Sequence, residues 1–303
     1  MNDFAKWVVI FALFATVMAG TAAAQNTPEA NASLLVPLPA VPAPAKEALA
    51  TLPDTRLRYW DTGGDGIPVV LVHPATGSAL IWGYQQPVFS KAGYRVIGYS
   101  RRSYYGSDPV PKENPGIASE DLYNLIEFLG IKKFHAVGSA AGGGIAADFA
   151  VSHPDRLLSL VINSNPAGLS GGDIVKTYES LRPKGFEAMP ADFRELGPSY
   201  RAANPAGVNA WLELEHKAVI SNPFRQRAAN VITEETLKRL PMPTLLITGE
   251  ADLYSPPALI RMVAAQIPNS EVVIVREAGH SSYWEQPDEF NRAVLDFLAR
   301  HSK

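Results

Sequence analysis

The sequence predicts an α/β fold: a mostly parallel, doubly wound sheet with helices on both faces. Short continuous apolar runs, typical of strands that are buried on both faces, recur along the chain. Helical patterns separate these runs, and buried strands that alternate with helices form a parallel sheet. The chain has 303 residues and is 47% hydrophobic, which is enough for one large domain of this class.

The first 24 residues have the pattern of a secretory signal. Lys6 precedes an apolar run at 7–19, and an Ala-x-Ala ending follows, so we expect cleavage after Ala24. The alternative is a membrane anchor, but the run is short for a bilayer, which needs about 20 residues. We therefore expect export to the periplasm or the cell exterior, without stable membrane insertion after cleavage.

Residues 25–53 are rich in Pro and Ala, a composition that excludes a long helix or a central strand. We expect an extended tether there, with a short helix at 45–51 as an alternative. The folded domain is expected at 54–303. Its strands are predicted at 56–61, 67–73, 95–99, 157–163, 243–248 and 271–275, with one more at the start of the stretch 134–147.

Composition excludes several classes of function. The formal net charge is −3 without a basic run, so nothing indicates nucleic-acid binding. The chain has no cysteine, which excludes disulfides, thiol catalysis and thiolate metal sites. No paired histidine spacing indicates a metal site, and neither metal nor cofactor is expected. The expected partner is a small-molecule substrate, and the oligomeric state is left open.

One stretch carries the strongest motif. Residues 134–147 read Phe-His-Ala-Val-Gly-Ser-Ala-Ala-Gly-Gly-Gly-Ile-Ala-Ala, in which an apolar run meets small residues that begin a helical pattern. This stretch resembles the nucleophile elbow of the α/β-hydrolases, G-x-S-x-G, with Gly138 and Gly142 in place. The serine position of that motif is occupied by Ala140. The resemblance extends from about Arg56 to the C-terminus and implies the α/β-hydrolase fold.

Residues 168–240 interrupt the alternation of strands and helices. They contain helical patterns with aromatic residues and no buried strand. By the resemblance, this helical insertion matches the cap domain of many α/β-hydrolases. The alternative is that its aromatic residues form only its own small core. An apolar pocket between cap and sheet would favour an apolar or aromatic small molecule.

The resemblance also implies a catalytic acid and a histidine. In the family the order is nucleophile, acid, histidine, and the positions after the two last strands hold Asp252 and His280. Histidine exchanges protons near neutral pH, and a buried carboxylate fixes its tautomer. The alternative is that His280 is a loop residue and Asp252 a helix cap before Pro256. The run Glu285-Gln286-Pro287 and the final helix also resemble the family.

The resemblance further assigns two oxyanion donors, the backbone N–H groups of Ala75 and Ala141. Pro74 stands where the family usually has glycine, which alters this loop. Three residues are candidates for substrate contacts: Trp82, Tyr104 and His216. Each has an alternative without a ligand. Trp82 can pack within the protein, and His216 can lie on a surface helix. The loop around Tyr104 normally has a structural role.

Alanine has no nucleophilic atom, so three interpretations of Ala140 stay open. The chain is a serine hydrolase that lacks its serine, or an enzyme that uses His280 and Asp252 as a general base without a covalent step, or a binding protein without catalysis. An alternative nucleophile is Ser139, but the residue at that position of an elbow normally points away from the reaction centre. The main hypothesis is hydrolysis of an ester or a similar carbonyl compound.

Overall fold

The computed structural model describes residues 36–39, 42–220 and 224–302. The signal expected at 1–24 and the tether residues 25–35 lie outside the described residues. Within the described ranges, no helix has both the length and the apolar character that crossing a bilayer requires.

Within these described ranges, eight strands form one sheet in the order β1-β2-β4-β3-β5-β6-β7-β8. The strands are β1 (Lys46–Thr51), β2 (Arg56–Asp61), β3 (Pro68–Val72), β4 (Arg95–Tyr99), β5 (Phe134–Ser139), β6 (Leu157–Asn163), β7 (Thr244–Gly249) and β8 (Ser270–Val275). The pairs β1–β2 and β2–β4 are antiparallel, and all other neighbours are parallel. The predicted α/β-hydrolase fold is confirmed.

Helices cover both faces of the sheet. In the described part of the chain they are α1 (Gln85–Lys91), α2 (Ala118–Phe128), α3 (Ala141–Ser152), α4 (Asp173–Ser180), α5 (Ala191–Glu195), α6 (Pro198–Ala203), α7 (Pro205–Ala218), α8 (Glu234–Leu237), α9 (Pro257–Ala264), α10 (Ser282–Glu285) and α11 (Pro287–Arg300). Short 3₁₀ turns occupy Ala79–Trp82, Pro154–Arg156 and Phe186–Ala188.

The apolar runs of the strands explain the two-layered core. Successive side chains of a strand point to opposite faces, so Val70 and Val72 pack with α2, α3 and α9. Val69 and Leu71 of the same strand pack on the other face with α1 and α11. Because both faces are buried, these strands are continuously apolar rather than alternating.

The tether prediction needs a correction at its C-terminal end. Residues Lys46–Thr51, assigned to the tether or to a short helix, form the edge strand β1 instead. The physical reason is pairing: β1 runs antiparallel to β2, and Ala50 is fully buried. The run of prolines ends at Pro44, so every residue of β1 keeps the N–H that a ladder requires.

The segment between β6 and β7 is helical, with α4 to α8 along it. Its aromatic residues divide into two groups. Phe186, Tyr200 and Trp211 are buried, and the last two belong to the core on the α1–α11 side of the sheet. Phe193 and Phe224 are exposed. A role for this segment as a cap over the site stays a prediction.

Candidate active site

The strand-to-helix turn at Ala140 is strained and tightly packed. Ala140 lies between β5 and α3 with φ 48° and ψ −117°, a conformation that residues other than glycine rarely adopt. Glycines permit the close approach of strand and helix at this turn. A Cβ on Gly142 would lie 2.0 Å from the carbonyl oxygen of Val72, and a Cβ on Gly138 would lie 2.3 Å from the carbonyl oxygen of Gly142. The turn therefore has the geometry of a nucleophile elbow, with Ala140 at its apex.

Ser139 is held in a buried network below that apex. Its side chain is 1% exposed, and its Oγ accepts a hydrogen bond from Nδ2 of Asn163 at 2.9 Å. Oδ1 of Asn163 in turn accepts a hydrogen bond from Oγ of Ser282 at 2.8 Å. Among the described residues, no histidine is hydrogen-bonded to Ser139 Oγ, so this geometry gives the alternative nucleophile no base.

His280 and Asp252, 28 positions apart, form a buried pair. Nδ1 of His280 lies 2.9 Å from Oδ1 and 3.0 Å from Oδ2 of Asp252. The carboxylate also accepts hydrogen bonds from the backbone of Tyr254 and Ser255 and from the hydroxyl of Thr248. Within the described chain, Nε2 of His280 has no hydrogen-bond partner, which leaves it available for proton transfer.

Two carboxyl groups control the charge of His280. Burial lowers the pKa of His280, but the charges of Asp252 and Glu195 and the hydrogen bond to Asp252 outweigh it and raise the pKa to about 9. Burial opposes ionisation of Asp252, yet the charge of His280 and the hydrogen bonds lower its pKa. Glu195 is buried, which raises its pKa, and its Oε2 has no hydrogen-bond partner among the described residues.

Glu285 fixes the loop that carries His280. Its buried carboxyl group accepts hydrogen bonds from the N–H of Gly279 at 3.0 Å and from the N–H of Gly197 at 2.7 Å. It therefore joins the α5–α6 connection to the residue just before His280. Burial raises the pKa of Glu285 to about 8, although the backbone hydrogen bonds partly oppose this. The sequence identified this residue only as part of a family-like run.

The candidate oxyanion donors lie on two fixed elements. Ala141 is the first residue of α3, so its N–H has no acceptor within the helix. Ala75 follows Pro74, whose carbonyl accepts hydrogen bonds from Nδ1 of His73 at 2.7 Å and from Gly77 N–H at 3.2 Å. Burial and the nearby charge of Arg101 lower the pKa of His73 well below its usual value, so a neutral ring supports this loop.

A cavity of about 310 Å³ lies beside the elbow. Ala141 and Tyr104 line it, whereas Ala140 and His280 do not. The cavity therefore meets the turn at the helix start rather than at its apex. Its lining also includes the first half of α3 and the loop after β4.

The structure does not bring the other two substrate-contact candidates to this cavity. Trp82 is 1% exposed and packs on the ring of Tyr283, with 5.0 Å between ring centroids. His216 lies on α7 with its side chain 75% exposed, 3.6 Å from the carboxylate of Glu215. The expectation of a ligand contact at His216 is therefore corrected: α7 buries Trp211 and turns His216 to solvent.

Comparison with known proteins decides the family. Residues 69–293 match the sequence profile described as the alpha/beta hydrolase family. The chain belongs to the α/β-hydrolase family. Among curated α/β-hydrolase relatives, a 2-hydroxy-6-oxononadienedioate/2-hydroxy-6-oxononatrienedioate hydrolase of Cupriavidus pinatubonensis is 30% identical over 271 residues, covering 80% of this chain and 90% of that protein. The similarly named hydrolase of Burkholderia vietnamiensis is 27% identical over 274 residues, covering 82% and 92%.

Solved structures of other α/β-hydrolases are also similar. A thermophilic esterase from Thermogutta terrifontis superposes with a TM-score of 0.68 at 26% identity, over 85% of this chain and all of that one. An enol-lactonase from Burkholderia xenovorans gives a TM-score of 0.66 at 24% identity, over 83% and 100% of the two chains. At that identity the lactonase supports the fold alone.

Proposed function

We propose that the site of this α/β-hydrolase is built to hydrolyse an ester or related carbonyl bond of a small molecule, with the nucleophile position occupied by Ala140. The observation that carries the proposal is the strained elbow at Ala140, with φ 48°. Holding a residue other than glycine in such a conformation costs about 1–3 kcal/mol. A turn of this kind serves to present a side-chain nucleophile. A general base that acts on water does not need such a turn.

The other parts of the site fit the reaction of a serine at this position. A hydroxyl at residue 140 would attack the carbonyl carbon while Nε2 of His280 takes its proton. The N–H groups of Ala75 and Ala141 would stabilise the negative oxygen of the tetrahedral intermediate. Its collapse breaks the bond to the leaving group, which receives the proton from His280, and water then releases the acid by the same steps.

With alanine in place, no atom of residue 140 can form the acyl intermediate. The parent protein is therefore expected to bind its substrate without turning it over. Removing the nucleophile of such a triad typically costs a factor of about a million in kcat.

The second candidate is general-base chemistry by His280 and Asp252 without a covalent step. Two observations favour it: Nε2 of His280 has no partner among the described residues, and the curated relatives are named for an oxo-dienedioate rather than an ester. A non-catalytic ligand binder is the third candidate. We also propose that the protein is exported, as the pattern of residues 1–24 predicts.

Five proteins separate these candidates, each assayed with p-nitrophenyl esters: the parent, Ala140→Ser, Ser139→Ala, His280→Ala and the double variant Ala140→Ser/His280→Ala. The proposal expects activity only in Ala140→Ser, and its loss when His280→Ala is added. An active parent that only His280→Ala abolishes favours the general base. An active parent that Ser139→Ala abolishes overturns the proposed register. An inactive, folded Ala140→Ser protein that still binds esters favours the binder.

A further inference from the structure

The cavity beside Ala141 is lined by more positive than negative side chains. Among the residues that the structure describes, one acidic residue lines it, Asp148. Its basic lining residues are Arg101, Arg102, Arg225 and Arg227. Apolar side chains complete the wall, including Val110, Ile145 and Ile232. A small ligand with an apolar body and one negative group matches this lining.

Two of the charged lining residues are already engaged within the fold. Arg102 forms a buried two-point ion pair with Asp121, at 2.7 and 2.8 Å. The carboxylate of Asp148 accepts hydrogen bonds from the hydroxyl of Ser119 and from the backbone N–H groups of Ala229 and Asn230. These contacts fix the two side chains within the cavity wall and pair the charge of Arg102 with that of Asp121.

Arg101 is held in place without a carboxylate partner. Its Nη2 donates to the carbonyl of Pro74 at 3.1 Å, and its Cζ lies 4.4 Å from the ring centroid of Tyr104. Its backbone N–H donates to Nε2 of the neutral His73 at 3.0 Å. In the described chain no acidic group forms an ion pair with Arg101. Its guanidinium is therefore held in a fixed position, and no carboxylate of the described residues neutralises its positive charge.

The position of Arg101 relates this charge to the reaction. Pro74, which its guanidinium contacts, directly precedes the candidate oxyanion donor Ala75, and the second donor, Ala141, lines the same cavity. A ligand in the cavity thus has a fixed guanidinium on one wall and the start of α3 on another. A guanidinium presents its donors as a planar fork, which matches a carboxylate in two-point geometry.

We propose that this cavity receives a carboxylate at the end of the substrate's acyl chain, with Arg101 as its charge partner. This inference rests on the proposed function and narrows its substrate class to esters of short acyl chains that carry a terminal carboxylate. It adds one negative group to the apolar or aromatic small molecule that the sequence leads us to expect. The volume of about 310 Å³ restricts the ligand to a small molecule.

Direct binding tests the inference in the parent protein, which needs no turnover. Isothermal titration compares phenylpropionate with phenylpropionamide, which has the same shape without the charge. We expect the carboxylate to bind about tenfold more tightly or better. Equal affinities, no binding of either compound, or tighter binding of phenylphosphonate than of phenylpropionate would overturn the assignment.

Substitution locates the charge partner. Arg101→Gln is expected to remove the preference for the carboxylate, about a tenfold loss, and Arg101→Lys to retain part of it. Arg261→Gln, on the exposed side of α9, is the matched control and is expected to bind like the parent. A preference that survives Arg101→Gln in a protein with an unchanged circular dichroism spectrum contradicts the inference.

Hydrolysis separates failure of this inference from failure of the proposed function. In Ala140→Ser, mono-p-nitrophenyl glutarate is compared with p-nitrophenyl valerate. Adding Arg101→Gln is expected to lower the kcat/KM ratio of the charged to the neutral ester about tenfold. Hydrolysis of both esters with an unchanged ratio overturns the carboxylate site alone. Arg101-dependent carboxylate binding in an Ala140→Ser protein that hydrolyses neither ester overturns the proposed function alone.

Discussion

Oγ of Ser139 accepts a hydrogen bond from Nδ2 of Asn163 at 2.9 Å, one residue before the apex of the elbow. Asn163 ends β6, and its Oδ1 accepts a hydrogen bond from Ser282 at the start of α10. The hydroxyl therefore joins two central strands and the segment after His280. This hydrogen bond gives Ser139 a structural role, in agreement with the proposal that position 140 is the nucleophile position.

Ser139→Ala is expected to lower stability and leave catalysis intact. Nδ2 of Asn163 loses its buried acceptor, so the free energy of unfolding should fall by about 1 kcal/mol. Urea denaturation measures this change. In the Ala140→Ser background, the same substitution should leave kcat/KM for p-nitrophenyl esters within about threefold, since no histidine of the described chain is hydrogen-bonded to Ser139 Oγ. A loss of activity without a loss of stability would contradict this role.

The pH dependence of the Ala140→Ser protein should reflect the raised pKa of His280. The reaction needs the neutral imidazole, so kcat/KM should rise with pH until about pH 9 and fall about tenfold per unit below it. Glu195→Gln removes a negative charge that raises this pKa and should move the profile to lower pH. Glu179→Gln, on the exposed side of α4, is the control and should leave it in place. A midpoint below neutral pH, or no shift with Glu195→Gln, contradicts this description.

Glu285 should make the fold less stable as pH rises. Its pKa is raised from 4.5 to about 8 in the folded protein, so the native state holds a proton that the unfolded chain releases. The resulting stability is fully present below the unfolded pKa and is lost as pH rises through about 8. Glu285→Gln keeps a neutral side chain at every pH. Urea denaturation between about pH 5 and pH 8 should show a smaller loss of stability in this variant.

A residual slope should remain in Glu285→Gln, because His280 also has a raised pKa, and its contribution is lost towards about pH 9. Identical pH dependence in the variant and the parent would show that Glu285 is not the group that titrates.

The tight packing of the elbow can be tested with two glycines of the same helix. A Cβ on Gly142 would lie 2.0 Å from the carbonyl of Val72, so Gly142→Ala should lower the free energy of unfolding by about 3 kcal/mol or prevent folding. Gly144 is the matched control, since the nearest atom to its added Cβ lies 3.6 Å away. Gly144→Ala should stabilise α3 by about 0.5–1 kcal/mol. Equal effects of both substitutions in thermal melts would contradict the packing argument.

The sequence predicted the central sheet well because its strands are buried on both faces and leave continuous apolar runs. It missed β1, whose residues Lys46 and Glu47 are exposed at the edge of the sheet and follow a proline-rich stretch. The pairing of β1 with β2 is what defines this edge strand. A propensity argument contains no information on such a partner.

The same limit applies to the candidate site. Short motifs in the family order were enough to nominate His280 and Asp252, which lie in contact. Glu195 and Arg101 have no motif, and their relation to the site depends on how distant segments pack. The sequence does not reveal that Arg101 lacks an acidic partner in the described chain, because this depends on the packing of distant segments.

Covalent labelling with a fluorophosphonate tests whether residue 140 is the nucleophile position of a working site. Intact-mass spectrometry and peptide mapping should find one adduct on residue 140 of Ala140→Ser, and none on the parent protein. The adduct should disappear when His280→Ala is added, because the hydroxyl then lacks its base. An adduct on Ser139 of the parent, or no adduct on a folded Ala140→Ser protein, would contradict the assignment of the elbow.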